Sequence, residues 1–437
     1  MSNQRNMIFR FSLYGFLKNQ KYFEPVFFLI LLHDKGLSYT MLGLFLGFGA
    51  LCVNILEVPS GALADLYGRR RSMILSFLSY IISFIIYALA DRIFFLFVAM
   101  FLFSLGDAFR TGTHKAMIFD WLRLQGRVKE RTMVYGYTRS WSKIGSSVSA
   151  VIAVLFLLSW KSLNPEGMQY SQIFWLCIIP YSIGIINFLG YPKELDGEIR
   201  KKVFLRTLFY DLFYHLWNTL KDVVKISMLR RLFLESMSFE GLFRTVRDYV
   251  QPLANQMVLG LSFFLLFEDK DLQIIFVVYS IYFVMNLFAS YASRQAFKLS
   301  EKMGGEEHGC RLIWWSTFFL YCTLLPFLYF EFYICTFIVF ISLHFLQNIW
   351  RPMLLSRFDM HSRPETGATI LSLESQAKSL FMIIAAPMLG FSIDFINKGS
   401  FRDNFWPIAA MGLIVTFLII VTGFTRQRTV SKSMLIL

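Results

Sequence analysis

Apolar runs of about twenty residues, the length a helix needs to cross a hydrocarbon layer, recur along nearly the whole chain. MILSFLSYIISFIIYALA, residues 73–90, is one of them. Lipid offers no partner to a backbone N–H or C=O, so each such run must close its own hydrogen bonds as a helix. The composition points the same way. Of the 437 residues 56% are hydrophobic and only 16% are charged, more apolar and less charged than a soluble domain. A polytopic, all-α integral membrane protein is therefore expected.

The formal net charge is +14. The basic residues are not gathered into a soluble module, which argues against a nucleic-acid partner. They fall in short polar segments between apolar runs, as the positive-inside rule describes. The five cysteines, Cys52, Cys177, Cys310, Cys322 and Cys335, have no paired spacing. They read as small buried residues rather than disulfides or metal ligands. The N-terminal MSNQRNMIFRF leads directly into the first apolar run, so no removable signal peptide is expected.

Hydropathy places spans near 9–32, 40–64, 72–90, 93–121, 136–158, 171–190, 232–264, 273–296, 312–330, 333–356, 367–390 and 405–425. These twelve divide into an N-terminal six-helix half (1–190), a central loop (191–231) and a C-terminal half with a short tail (232–437). Residues 203–229 alternate apolar and charged positions at helical spacing, which suits an amphipathic helix on the membrane face. With the N-terminus inside, the inner segments hold twenty-seven Lys and Arg and the outer segments six. Both termini are thus expected in the cytoplasm, with the protein in the plasma (inner) membrane.

Between the second and third spans the chain reads GALADLYGRRRSM, residues 61–73. Glycines here allow a tight turn and close helix approach. A carboxylate suits the positive end of a helix dipole. This stretch resembles the signature loop of the major facilitator superfamily, G-x-L-a-D-r-x-G-r-R/K, with Gly61, Leu63, Asp65, Gly68, Arg69 and Arg70 matching. The resemblance implies two pseudo-symmetric six-helix bundles. It also implies that Gly61, Asp65, Gly68, Arg69 and Arg70 form a gating latch. The glycine- and proline-rich signature of drug–proton antiporters is missing from the fifth span, which reads YGYTRSWSKIGSSVSA. The second half's equivalent of the latch has degenerated to SYASRQAFKLSEKMGG.

Ten basic residues lie inside the spans. Each charge at mid-membrane costs about 2.5–3.5 kcal/mol on insertion scales, so such residues face a cavity or a partner. FLKNQKYFEP in the first span and FRTVRDYVQP in the seventh look like repeats. Lys18 and Lys21, and Arg244 and Arg247, are each spaced i, i+3 and followed by a proline, Pro25 or Pro252. Arg110 and His114 lie in the fourth span, Arg139 and Lys143 in the fifth, Arg351 in the tenth, Glu374 and Lys378 in the eleventh. The spans so marked are those that line the central cavity in the superfamily the chain resembles.

Bases outnumber acids at mid-depth, which favours an anionic substrate. Paired guanidinium or ammonium groups suit a carboxylate or a phosphate. The candidate substrate ligands are Lys18, Lys21, Arg110, Arg139, Lys143, Arg244, Arg247, Arg351 and Lys378. Glu24, Asp248 and Glu374 are candidates for proton coupling or charge pairing. The alternative is an internal network in which Glu24 neutralises Lys21, Asp248 an arginine beside it, and Glu374 either Lys378 or Arg139. Asp120, Glu57, Glu235 and Glu240 lie closer to the inner ends and suit pairing with gating loops. No phosphate-binding glycine loop, ATPase signature or metal cluster occurs, so neither enzymatic activity nor a cofactor nor a metal is expected.

The expectation is a monomeric secondary transporter working by alternating access on a small organic anion, by exchange or with protons. One rival is an exporter of drug-like or lipid-like amphipathic compounds. Another is a membrane sensor or scaffold on a transporter fold.

Overall fold

The structure, a computed structural model, describes residues 2–111, 113–127, 130–164, 167–196, 214, 221, 226–260, 269–361, 367–398 and 404–434. Among these residues nine helices are long and apolar enough to cross a membrane. A tenth apolar helix, Trp406–Thr422, is shorter. The two remaining expected spans, the first and the seventh, are interrupted. Most of the predicted amphipathic segment 203–229 lies outside the described residues.

The chain forms two compact units. One comprises Met1–Gly36 with Phe48–Phe213, the other Leu37–Gly47 with Tyr214–Leu437. The sequence-based division assigned 37–47 to the N-terminal half, whereas these residues pack with the second unit.

In the first unit α1 (Ser2–Leu17) precedes a break and a run of short turns. Then follow α2 (Tyr39–Tyr67), which belongs to this unit from Phe48 on, α3 (Arg69–Leu89), α4 (Ile93–Arg110), α5 (Thr113–Leu124), α6 (Arg131–Leu163) and α7 (Ile173–Leu189). Helix α3 packs along α4 and α7, and α1 along α6. The α1–α6 approach is close because both helices present glycine. A Cβ on Gly15 would lie 2.7 Å from the Thr138 carbonyl, and one on Gly145 would lie 2.6 Å from that of Phe16. Small residues at a helix crossing allow this backbone contact in lipid, where dispersion replaces the hydrophobic effect. The interior is aromatic: Phe77, Tyr80, Phe103 and Tyr181 meet edge-on or tilted, and Phe84 stacks on Phe174.

In the second unit the elements are α8 (Ser227–Val246), α9 (Val250–Gly260), α10 (Lys270–Lys302), α11 (Glu306–Tyr329), α12 (Tyr333–His361), α13 (Gly367–Ile396) and α14 (Trp406–Met434). Helix α8 lies along α13, α10 along α12, and α11 against α12 and α14. The core centres on Phe239, stacked 4.3 Å from Trp350 and edge-on to Trp314. Large apolar side chains such as Phe94, Ile186, Ile338 and Phe391 point outward and are exposed. Apolar surface of this extent in both units is the face a membrane protein presents to lipid.

The first span breaks for a local reason. Pro25 has no N–H to donate to the Lys21 carbonyl four residues back, and its ring crowds that carbonyl. Helix α1 ends at Leu17, and the chain resumes as a 3₁₀ turn at Glu24–Val26, with a π-helical turn at Ile30–Asp34. The carbonyls released near the break find other donors. Asn19 Nδ2 donates to Gly15 at 2.7 Å, the Glu24 amide to Lys21 at 3.1 Å, and the Tyr181 hydroxyl to Lys18 at 3.1 Å. The seventh span breaks at the matching place. Arg247–Tyr249 is a 3₁₀ turn between α8 and α9, with Pro252 withdrawing a donor from Asp248.

Candidate functional site

Both interruptions fall on the repeated basic motif. In the first unit the half-buried Lys21 lies in the break, its ammonium 5.4 Å from the Phe103 ring centre. Lys18 holds its ammonium 5.5 Å from the ring of Tyr14. Aromatic faces attract cations through the ring quadrupole without neutralising them. The Lys21 ammonium makes no ion pair or hydrogen bond with any described residue. Gln20 next to it is buried and donates to the Gly145 carbonyl at 3.0 Å, leaving its Oε1 without a partner. Glu24, the expected neutraliser of Lys21, is half-buried at the start of the 3₁₀ turn.

Arg110 is committed locally. Its Nη2 donates to Asp107 Oδ1 at 2.7 Å, and Tyr80 donates its hydroxyl to the same oxygen at 2.5 Å. Arg110 Nε donates to the Tyr80 oxygen at 3.1 Å, which closes the triad. The second unit repeats this Tyr–Asp–Arg unit. Asp248 accepts from Arg247 Nε at 2.8 Å and from the Tyr282 hydroxyl at 2.7 Å, while Gln251 donates to Tyr282 at 2.8 Å. Each aspartate is thus held by an arginine and a tyrosine.

Helix α13 carries the third anchored acid. Glu374 is 1% exposed. It accepts from Arg351 at 2.6 and 3.1 Å, from Lys378 at 2.9 Å, and from the Ser236 hydroxyl. One carboxylate therefore faces two cations. Arg244, one turn from Glu240 on α8, is exposed, and its guanidinium makes no ion pair or hydrogen bond with any described residue. Glu240 accepts from Gln347 at 2.9 Å rather than from a loop arginine.

The latch stretch is tighter than its motif suggests. Helix α2 continues through Gly61 and Asp65 to Tyr67, so Gly68 alone makes the turn. Its φ of +100° lies in the left-handed region that favours glycine. A Cβ there would stand 2.8 Å from Asp196 Oδ1. That carboxylate accepts the Arg70 amide at 2.9 Å and lies 3.8 Å from its Nε, so Asp196 caps α3 from beyond α7. Arg69 pairs with Asp120 of α5, which also accepts from Arg123 at 3.0 Å.

At the start of α8 a second charged network is buried. Arg357 bridges Glu235 at 2.7 Å and Glu307 at 2.6 Å, and Arg231 pairs with the same two acids at 2.7 and 2.6 Å. Arg357 is 1% exposed. Its sequence position suggests a loop anchor, whereas it closes a four-membered ionic ring.

Lys143 is exposed on α6. The side chains of Asp65 and Arg139, and the surroundings of Gly61, lie outside the described set. His114 is buried, stacked 3.7 Å from Tyr14, with Nε2 3.2 Å from the Tyr191 hydroxyl. Tyr80, Tyr282, Ser236 and Asp196 were missed by sequence reasoning. The tyrosines and the serine look like ordinary helix residues, and Asp196 lies 126 positions from its amide donor.

A family model described as Major Facilitator Superfamily matches residues 19–437. No curated protein matches the chain. Similar solved structures include a mutant of the nucleoside transporter NupG, at 12% identity and a TM-score of 0.73, covering 95% of this chain and 99% of that one. A D-xylose–proton symporter aligns at 12% identity and a TM-score of 0.67, over 95% and 96% of the two chains. A POT family transporter in complex with 5-aminolevulinic acid aligns at 13% identity and a TM-score of 0.65, over 95% of each. At such identities the likeness concerns the fold.

Proposed function

Since the chain belongs to the major facilitator superfamily, we propose that it is a secondary active transporter of a small organic anion bearing a carboxylate or phosphate. It works by alternating access, through exchange or with protons. The observation that carries this reading is the contrast between held acids and unheld bases. Asp107, Asp248 and Glu374 are each engaged by an arginine. The side chains of Lys21 and Arg244, one from each copy of the repeated motif, form no ion pair with a described residue. An anionic substrate supplies a countercharge to a base of this kind, and a guanidinium binds carboxylate or phosphate through two parallel hydrogen bonds. The broken helices support the same reading, because interrupted helices in transporters put backbone groups where substrate and ions bind. Lys18, Arg247, Arg351, Lys378, Lys143 and Arg139 complete the basic set, and Glu374 is the acid best suited to coupling. The latch of Gly68, Arg69 and Arg70 serves gating, and the lysine and arginine distribution sets both termini inside the plasma membrane.

Proteoliposomes loaded with radiolabelled organic phosphates and dicarboxylates test the proposal. Lys21→Gln and Arg244→Gln should each abolish anion flux while the protein stays folded. Undiminished flux in both variants, or flux confined to uncharged amphipathic compounds, removes the anion reading.

A further inference from the structure

Away from the charged clusters, the second unit has an apolar groove of about 760 Å³ between α13 and α14, floored by Met237 of α8. Met388, Phe391 and Phe395 line one wall, and Trp406, Ala410 and Ile414 the other. Ser392 also lines it, but its hydroxyl is already spent on the Met388 carbonyl at 2.8 Å. A water held there needs two to four polar partners, and the walls do not supply them. The groove runs along the apolar stretches Leu373–Ile396 and Trp406–Thr422, so it lies at hydrocarbon depth. An apolar groove at that depth is filled by hydrocarbon, because packed interiors leave few voids.

One end of the groove has a different chemistry. Lys398 holds its ammonium 5.7 Å from the Phe395 ring centre and makes no ion pair with any described residue. Trp406, a residue type that favours the headgroup level, stands at the same end. A cation and an indole above an apolar channel match a phospholipid, phosphate at the ammonium and chain beneath. We propose that the α13–α14 groove holds an acyl chain of a resident membrane phospholipid, with its phosphate on Lys398 and a preference for an anionic headgroup. A chain seated there braces α13, the helix that carries Glu374 and Lys378.

The test is native mass spectrometry of the full chain, released from vesicles of equal palmitoyl-oleoyl phosphatidylglycerol and phosphatidylcholine. Wild type should retain a phospholipid, with the glycerol headgroup favoured about fivefold, the effect of one basic group at a membrane surface. Ala410→Trp, which fills the groove, should lose the lipid. Lys398→Gln, an exposed change that leaves the groove intact, should keep the lipid but lose the headgroup preference. Lipid retention and preference unchanged in Lys398→Gln, or retention unchanged in a folded Ala410→Trp, overturns the proposal. So does a wild-type dimer without lipid that Ala410→Trp converts to monomer, since the groove would then be a contact between copies.

Discussion

The Tyr181 hydroxyl donates to the Lys18 carbonyl at 3.1 Å, across 163 positions of sequence. This bond satisfies a backbone oxygen that the break in the first span leaves without its helical donor. The interruption is therefore an architectural feature shared by α1 and α7. Tyr181→Phe should lower stability by about 0.5–1.5 kcal/mol, the net worth of such a bond. Thermal unfolding in detergent measures it, and an unchanged Tm would mean that the carbonyl is satisfied in some other way.

Glu374 offers a cleaner energetic test because its partners are so close. Glu374→Gln leaves Arg351 and Lys378 facing each other without their countercharge. Removing one member of a buried ionic group costs about 3–5 kcal/mol. Adding Lys378→Met should recover part of that loss, giving a coupling energy of about 0.5–3 kcal/mol in the double-mutant cycle. Strict additivity of the two changes would show that the pair does not interact.

Arg357 and Arg123 make a matched comparison. Arg357→Leu leaves the buried Glu235 and its neighbour Glu307 to share Arg231 alone, and should cost about 3 kcal/mol, the lower end for breaking a buried ionic group. Arg123→Ala removes an ion pair whose arginine side chain is 63% exposed, and should change stability by no more than about 1 kcal/mol. Denaturation of the two variants side by side should separate them clearly.

Gly68 and Asp196 act on the same helix start and should behave as one site. Gly68→Ala places a Cβ against Asp196 at a left-handed φ, costing about 1–2 kcal/mol in backbone strain alone. Asp196→Ala removes the side-chain cap of α3, worth about 0.5–2 kcal/mol. The double variant should lose less than the sum, because the alanine at 68 no longer meets a carboxylate. Full additivity in thermal unfolding would refute this shared role.

Depth and order were legible in the sequence, because the cost of burying a charge or a peptide group in lipid acts on each residue where it stands. Hydropathy alone located ten of the expected spans as apolar helices, and it singled out Lys18, Lys21, Arg244 and Arg247 as a repeated device. The prolines beside them even mark where the helices break, since the missing N–H is a local fact. Which charges meet was decided by the tertiary structure. Arg351 reaches Glu374 from another helix, Arg357 reaches Glu235 across 122 positions, and Asp196 caps a helix begun 127 residues earlier at Arg69. A pairing depends on how each helix is turned about its axis and what it packs against. That rotation is set by the close approach of Gly15 and Gly145 and by the stacking of Phe239 on Trp350. Packing of this kind determines which bases come within ion-pairing distance of an acid and which, like the side chains of Lys21 and Arg244 among the described residues, do not.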